Sequence, residues 1–255
     1  MSDSSQPLFV VRGLTKSYGD RRVLDGLDFD VLRGECLIIL GRSGSGKSVT
    51  LRQLNGLEKP DAGTVFFDGN DLTLLSEHAL YPYRRRIAML FQSGALFDSM
   101  TVFENVAFPL REHTLLSEDE IARRVHEKLA MVHLPEAAPK YPSALSGGMR
   151  KRAALARSLA LDPEVLLFDE PTTGLDPVTS ATIGALIRRV REKVGVTSVV
   201  ITHDVPLARM VGDRLAFLSR SGHFTFVGTW PEAERCGDHE LRDFFAGREE
   251  DVDAA

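Results

Sequence analysis

The sequence has few of the features that mark secreted, membrane-spanning or nucleic-acid-binding proteins. It contains two cysteines in 255 residues, and neither Cys36 nor Cys236 shows the spacing of a metal site or a disulfide framework. No apolar run approaches the ~18 residues that a membrane-spanning helix requires, and Met1–Gln6 lacks the charged and apolar regions of a signal peptide. The formal net charge of -5 argues against nucleic acid as the main partner. We therefore expect a reduced, cytosolic protein that reaches a membrane only through a partner.

The sequence does contain the alternation of strands and helices that is typical of an α/β protein. Hydrophobic residues make up 43% and charged residues 26% of the chain, which is the globular range. Continuous apolar runs predict buried strands at residues 36–40, 87–91, 164–168 and 198–202. Such runs, with helices between them, indicate a mostly parallel sheet covered on both faces. Alternating segments at 9–18, 23–31 and 64–67 predict an additional antiparallel β subdomain.

A helical region separates the first strands from the later ones. Ser117, followed by acidic residues at 118–120, predicts a capped helix start, and prolines at 135, 139 and 142 end that helix. Further helices are predicted over about 150–161 and 177–194. We therefore expect one domain with a core at about 1–92 and 164–240, a helical subdomain at about 93–163 and a C-terminal tail at 241–255. Leu241, Phe244 and Phe245 suit packing on the chain itself or on a partner, and residues 248–255 are predicted to be disordered.

A glycine-rich turn between a predicted strand and a predicted helix matches the phosphate-binding pattern G-x-x-x-x-G-K-[ST]. Its residues are Gly41, Arg42, Ser43, Gly44, Ser45, Gly46, Lys47 and Ser48. The turn exposes backbone N–H groups to phosphate oxygens, and the helix N-terminus adds the positive end of its dipole. Lys47 places a charge on the β- and γ-phosphates, and the Ser48 hydroxyl is suited to hold Mg²⁺. The sequence therefore predicts a nucleoside triphosphate site rather than an ordinary glycine turn.

Polar residues follow three of the predicted strands, where an open α/β sheet binds its ligands. Asp169 and Glu170 follow one strand, Gln92 another and His203 a third. Asp169 is suited to hold Mg²⁺ through water, and Glu170 to polarise an attacking water. His203 suits the γ-phosphate but also a surface imidazole, and Gln92 suits the metal but also a helix-capping amide.

The segment Ser146-Gly147-Gly148 predicts a second anion site, because it offers N–H groups and a hydroxyl at a helix start. With one P-loop and two phosphate-binding helix starts, the chain suits a head-to-tail homodimer that encloses two ATP molecules. In that arrangement the Ser146 segment of each copy covers the nucleotide of the other. The alternative is a glycine-rich helix start without a ligand.

Together these motifs resemble those of the ATP-binding subunits of ABC transporters, over nearly the whole chain. Gly41–Ser48 matches the Walker A motif, Val165–Glu170 Walker B and Leu145–Met149 the signature motif. Gln92 matches the Q-loop, 174–176 the D-loop and His203 the switch histidine. Met149 stands where the family usually has glutamine. Because a thioether cannot make the hydrogen bonds of an amide, this departure puts the fine control of dimer stability in question.

The resemblance implies an ATPase with ATP and Mg²⁺ as cofactors. It assigns catalysis to Lys47, Gln92, Glu170 and His203, and the metal to Ser48, Gln92 and Asp169. Tyr18 would stack on adenine, although it also suits the end of a hairpin. The remaining implied ATP contacts are Gly41, Arg42, Ser43, Gly44, Ser45, Gly46, Lys47, Ser48 and Val49, with Ser146, Gly147 and Gly148 from the second copy.

Residues 91–106 and 109–114, together with the Met-ending signature, resemble more closely the ATPases of Mla/Mce-type lipid transporters. This likeness implies an inner-membrane permease, a lipid-binding Mce-type subunit and a position on the cytoplasmic face of the bacterial inner membrane. The permease would dock near Leu96, Phe97 and Met100, with Val102 and Phe103 suiting either the permease or the subdomain's own core.

Other interpretations remain open at this point. The chain is also compatible with a small-solute importer, a lipoprotein-release ATPase, a soluble ABC-type ATPase or a P-loop kinase. It lacks the long coiled coil of DNA-maintenance ATPases and the doubled domain of translation factors. A kinase would not need the Ser146 segment, so ATPase activity that depends on an added phosphate acceptor would favour that class.

Overall fold

The computed structural model describes residues 6–248. The strands are β1 Pro7–Tyr18, β2 Arg21–Leu32, β3 Cys36–Gly41, β4 Ala62–Phe67, β5 Asn70–Asp71, β6 Ile87–Leu90, β7 Val165–Asp169, β8 Thr197–Thr202, β9 Arg214–Leu218 and β10 Phe224–Thr229. The helices are α1 Lys47–Leu54, α2 Glu77–Arg86, α3 Val102–His113, α4 Glu118–Met131, α5 Gly147–Ser158, α6 Pro177–Val194, α7 Val205–Val211, α8 Trp230–Arg235 and α9 His239–Phe245. Within this described range, no helix is both long enough and apolar enough to cross a membrane.

The chain forms two compact units. The first contains the residues up to Leu80 and those from Val199 onward, and the second contains Tyr81–Ser198. The expected division at about residues 92 and 163, between a core and a helical subdomain, stays a prediction.

The first unit contains the predicted antiparallel β part, in the strand order β2-β1-β4-β5. Alternate residues of β1, among them Phe9 and Val11, are buried, because one face of an antiparallel sheet covers a core. Phe9 lies opposite Phe67 of β4, and their ring centroids are 4.9 Å apart. This cross-strand aromatic pair fixes the register of the two strands.

The phosphate-binding turn follows a strand at the centre of the same unit. All six residues of β3 are buried, as expected for a strand covered on both faces. It pairs in parallel with β9, where Ile38 lies opposite Leu215, and β8 is its other neighbour. β10 pairs with β9 in the antiparallel direction.

The second unit combines the parallel pair β6 and β7 with helices α3 to α6 and most of α2. A capping box starts α4, in which Ser117 and Glu120 each bond the other's backbone N–H, so the predicted helix start is confirmed. The predicted helix at about 150–161 begins earlier, at Gly147. The reason is that the Ser146 side chain caps α5 by accepting the Met149 N–H.

The C-terminal helix α9 packs on its own unit. Leu241 is fully buried, and the Phe244 ring lies 5.2 Å from that of Phe217 in β9. Of the two interpretations of Leu241, Phe244 and Phe245, packing on the chain itself is the observed one. The tail predicted to be disordered lies, apart from Arg248, outside the described residues.

Candidate nucleotide-binding site

The P-loop takes a backbone conformation that its glycines permit. Gly46, the residue before α1, has φ 104° and ψ 3°, a left-handed conformation that a residue with a Cβ rarely adopts. A Cβ at Gly46 would also lie 2.8 Å from Leu24 Cδ2. The turn leads into α1 with no side-chain cap, and the N-terminus of a helix is a favourable place for an anion.

Lys47, the first residue of α1, folds back on this turn. Its Nζ donates to the carbonyl oxygens of Gly41 at 2.8 Å and Arg42 at 3.0 Å, and the residue is 6% exposed. These bonds hold a positive charge beside the loop whose N–H groups are suited to phosphate. The buried Ser45 Oγ has no hydrogen-bond partner within the described part of the chain, and a phosphate oxygen would supply one.

Tyr18 ends β1 with its ring 45% exposed. Its hydroxyl donates to Glu58 Oε1 at 2.5 Å, and Lys16 Nζ lies 5.7 Å from the ring centroid. Partial burial raises the pKa of the Tyr18 hydroxyl, and the hydrogen bond to Glu58 raises it further. An exposed, anchored ring suits both stacking on a base and closing a hairpin, so its adenine contact stays a prediction.

In the second unit, Asp169 and Glu170 lie at the end of the fully buried strand β7. They are 8% and 9% exposed. Glu170 has φ 47°, in the left-handed region that is unusual for a residue with a side chain. Such a conformation costs on the order of 1–3 kcal/mol and persists only where its surroundings hold it. Thr173 helps to hold it, since its Oγ1 donates to Glu170 Oε2 at 3.3 Å.

A lysine outside the predicted site residues lies beside Glu170. Lys151 of α5 is 6% exposed, and its Nζ donates to Gln92 O and, at 3.4 Å, to Glu170 O. Burial lowers the pKa of Lys151, and the carboxylates of Asp169 and Glu170 partly oppose that effect. One local pattern indicates that Lys151 is buried. It lies four residues before Leu155 and eight before Leu159, which places it on the apolar face of the helix.

The signature glycines lie where α5 closely approaches the start of α6. A Cβ added to Gly148 would lie 2.5 Å from Thr179 Cγ2. Thr179 is itself held by Asp176, the N-cap of α6, whose carboxylate accepts bonds from the Thr179 N–H and hydroxyl. These bonds lower the pKa of Asp176. Gly148 thus has a packing role that the sequence did not reveal, in addition to its predicted phosphate contact.

The predicted site residues are therefore divided between the two units. The first unit carries Tyr18, the P-loop and His203, which is exposed directly after β8. The second carries Gln92, Asp169, Glu170 and the Ser146 segment. Within that second unit, Lys151 brings the backbones of Gln92 and Glu170 together.

Comparison with known proteins gives the family. A model described as ABC transporter matches residues 24–173, a range that contains the P-loop, the signature segment and Glu170. The chain belongs to the ABC transporter family. It is an ATP-binding and ATP-hydrolysing subunit of that family, so the resemblance seen in its motifs is confirmed.

Relatives of this ABC ATPase include two named groups. It is 43% identical over 249 residues to the "Probable ribonucleotide transport ATP-binding protein mkl" of Mycobacterium leprae, covering 96% of this chain and 72% of the relative. It spans 66% of the length of the Mycobacterium tuberculosis protein of the same name. It is 44% identical over 247 residues to the "Intermembrane phospholipid transport system ATP-binding protein MlaF" of Escherichia coli strain K12, covering 97% of this chain and 91% of that one.

A solved structure confirms the predicted fold class. A dimeric ATP-binding cassette in a post-hydrolysis state with ADP and Pi is similar to the ABC ATPase, with a TM-score of 0.80 and 34% identity. The likeness covers 87% of this chain and 98% of that one. The predicted α/β P-loop fold is therefore the fold of this protein.

Proposed function

We propose that this ABC ATPase drives a permease that moves phospholipid in a bacterial cell envelope. The observation that carries the proposal is the 44% identity to the MlaF protein, which extends over 97% of this chain and 91% of that protein. The mkl-named relative matches to a similar degree but extends beyond the region that is shared. The resemblance of residues 91–106 and 109–114, and of the Met-ending signature, to the ATPases of lipid transporters points in the same direction.

ATP hydrolysis in this proposal depends on positioning and electrostatics. Lys47 and the P-loop amides neutralise the phosphates, and His203 steadies the γ-phosphate. Glu170 orients and activates the attacking water. Its left-handed backbone and its bond from Thr173 hold the carboxylate in one direction.

Magnesium is the expected metal because the donors are oxygen atoms. No cluster of three or more histidine, cysteine, aspartate or glutamate side chains suited to a metal occurs in residues 6–248. Ser48 and Asp169, with Gln92, are the residues that would hold it, together with phosphate oxygens and water. The ion would neutralise charge on the transferred phosphoryl group.

We propose that two copies close around two ATP molecules; a similar cassette of known structure is dimeric and is bound to ADP and Pi. The Ser146 hydroxyl and the N–H groups of Gly147 and Gly148 would contact the nucleotide of the other copy. The hydroxyl oxygen accepts the Met149 N–H at 3.3 Å, which leaves its proton for a phosphate oxygen. ATP would then stabilise the closed dimer, and hydrolysis would release it.

The permease would dock at a pocket of about 360 Å³ in the second unit, which we call the docking pocket. Its lining is mainly apolar, with three arginines: Arg84, Arg85, Ala88, Met89, Phe91, Ala95, Phe97, Phe108, Pro109, Arg157, Ser158 and Leu161. Arg157 donates to Ala95 O at 2.9 Å and lies 5.7 Å from the centroid of the Phe97 ring. The pocket therefore suits an amphipathic helix that carries an acidic residue.

This docking pocket refines the predicted contacts. Phe97 lines it, whereas Leu96 and Met100 are not among its lining residues. Val102 is fully buried, so it belongs to the unit's own core. Through the permease the ATPase would lie at the cytoplasmic face of the inner membrane, in a complex with a lipid-binding Mce-type subunit.

The test is isolation of the tagged full-length chain from its host membrane in mild detergent. We expect a multi-spanning permease to co-purify, and lipid extraction with mass spectrometry to detect phospholipid bound to the complex. Reconstituted into phospholipid vesicles, the complex should hydrolyse ATP and transfer labelled phospholipid to acceptor vesicles. A Lys47→Ala complex is the matched control, because it assembles without ATP-driven transfer.

A second candidate is ribonucleotide transport, which the name of the mycobacterial relative favours. It predicts that labelled ribonucleotide, rather than phospholipid, crosses the vesicle membrane when ATP is present. Uptake of ribonucleotide without lipid transfer would refute the lipid proposal.

A further inference from the structure

The run Arg150-Lys151-Arg152 places three cations in succession on α5, and they point to different surroundings. Arg150 donates to Leu145 O at 2.7 Å, and Arg152 donates to His133 O at 3.1 Å. Lys151 instead is buried with 6% exposure. Burying an ammonium is unfavourable unless polar groups replace its water. The burial of Lys151 therefore needs an explanation that the positions of Arg150 and Arg152 do not.

The groups that replace water around Lys151 belong to the two proposed catalytic loops. Its Nζ donates to the carbonyl oxygen of Gln92 and, more weakly at 3.4 Å, to that of Glu170. These residues lie 59 and 19 positions away in the sequence. The Lys151 ammonium thus links the backbone of Gln92 in the Q-loop to that of Glu170, the residue after β7.

The backbone of Glu170 has a particular need for such support. Its φ of 47° is unfavourable for glutamate, and a positive charge beside its carbonyl oxygen stabilises the peptide orientation that this φ produces. The Asp169 and Glu170 carboxylates also attract the ammonium. Lys151 thus contacts the backbone of the residue whose carboxylate is proposed to activate water.

We propose that Lys151 is a positioning residue that couples the signature helix to the catalytic loops of its own chain. Lys151 follows Ser146 by five residues on α5, so one rigid helix carries both the predicted contact to the partner's ATP and the support of Glu170. Closure of one site would then set the geometry of the other. The inference depends on the roles proposed above for Glu170 and Ser146.

The test compares Lys151→Met, which keeps the length but removes the charge, with Lys151→Arg and Lys151→Gln in the full chain. We expect Lys151→Met to lower the kcat of ATP hydrolysis by about 10- to 100-fold, the scale of a misplaced catalytic group. KM for ATP and the affinity for a fluorescent ADP analogue should change less than about twofold, since the P-loop is intact. At least one of the two donor-bearing variants should recover part of the lost kcat.

Lys128→Met is the matched control. Lys128 is also a buried lysine of the second unit, 5% exposed, but it pairs with the Asp162 carboxylate rather than with the carbonyl oxygens of Gln92 and Glu170. Both Met variants should lower the thermal unfolding temperature, and only Lys151→Met should lower kcat. Equal kcat values for the two variants would overturn the proposal.

A double variant separates this inference from the proposed function. If Lys151 acts through Glu170, adding Lys151→Met to Glu170→Gln should lower kcat less than about twofold further, because the interaction is already lost. Full additivity of the two effects would refute the coupling while leaving Glu170 in its role. Wild-type activity of Glu170→Gln alone would instead refute the proposed role of Glu170.

Discussion

Substituting Gly148 by alanine tests whether the signature glycine is required for packing as well as for phosphate binding. The added Cβ would lie 2.5 Å from Thr179 Cγ2, well inside van der Waals contact. Thr179 has little freedom to turn away, because its hydroxyl donates to Asp176 Oδ2 at 2.5 Å. Either the start of α5 moves away from α6, or the bond to Asp176 is lost.

Two effects of opposite sign decide the magnitude. Overpacking of this kind typically costs about 1–3 kcal/mol, whereas alanine is favoured over glycine in a helix by up to about 1 kcal/mol. The packing term dominates, so Gly148→Ala should reduce the free energy of unfolding by roughly 1–2 kcal/mol. At about 2–4 °C per kcal/mol for a chain of this size, the melting temperature should fall by roughly 2–8 °C.

Denaturant unfolding of four proteins measures the effect: wild type, Gly148→Ala, Thr179→Ser and the double variant. Serine keeps the hydroxyl bonded to Asp176 but removes the clashing methyl group. In the Thr179→Ser background, Gly148→Ala should therefore become neutral or stabilising. Gly147→Ala is the matched control, since its Cβ would meet only the flexible end of Leu175 at 3.3 Å. If Gly148→Ala destabilises both backgrounds equally, the steric explanation is wrong.

Three further predictions test the proposed cycle. Glu170→Gln should bind ATP with unchanged affinity but accumulate as a closed dimer, which size-exclusion chromatography with ATP detects; a variant that stays monomeric and hydrolyses ATP normally would contradict it. Ser146→Arg should abolish ATP-driven dimerisation while the monomer still binds a fluorescent ATP analogue, because the bulky cation occupies the place of the partner's phosphate; unchanged dimerisation would remove Ser146 from the interface. Phe97→Ala should lower the yield of permease that co-purifies with the chain by at least severalfold, because it removes an apolar wall of the docking pocket, and a full yield would place the permease elsewhere.

Much of the fold follows from local sequence signals. The capping box at Ser117 and the helix over Pro177–Val194 agree with their predicted starts, because a cap is satisfied by residues within one turn. The predicted range of about 150–161 begins too late, because the low helix propensity of glycine kept Gly147 and Gly148 out of it although Ser146 was placed at a helix start. A capping side chain outweighs the low helix propensity of glycine at this position.

The candidate site is only partly local. Gly41–Ser48 is a continuous segment whose spacing alone predicts a phosphate cradle, and the structure gives it the expected strand, turn and helix. Lys151 was not predicted, because its partners Gln92 and Glu170 are distant in sequence. The contact between Gly148 and Thr179 was missed for the same reason.

By itself, the sequence determined the family and the fold class, and it predicted which residues are suited to chemistry, since a P-loop, a pair of carboxylates and a capped glycine segment are each recognisable within a few residues. Only the tertiary structure decided what holds those residues in place. The left-handed Glu170, the buried ammonium of Lys151 and the close approach of α5 to α6 all depend on groups brought together by folding. Such contacts leave no local sequence pattern, because the residues that make them are distant in sequence and come together only when the chain folds.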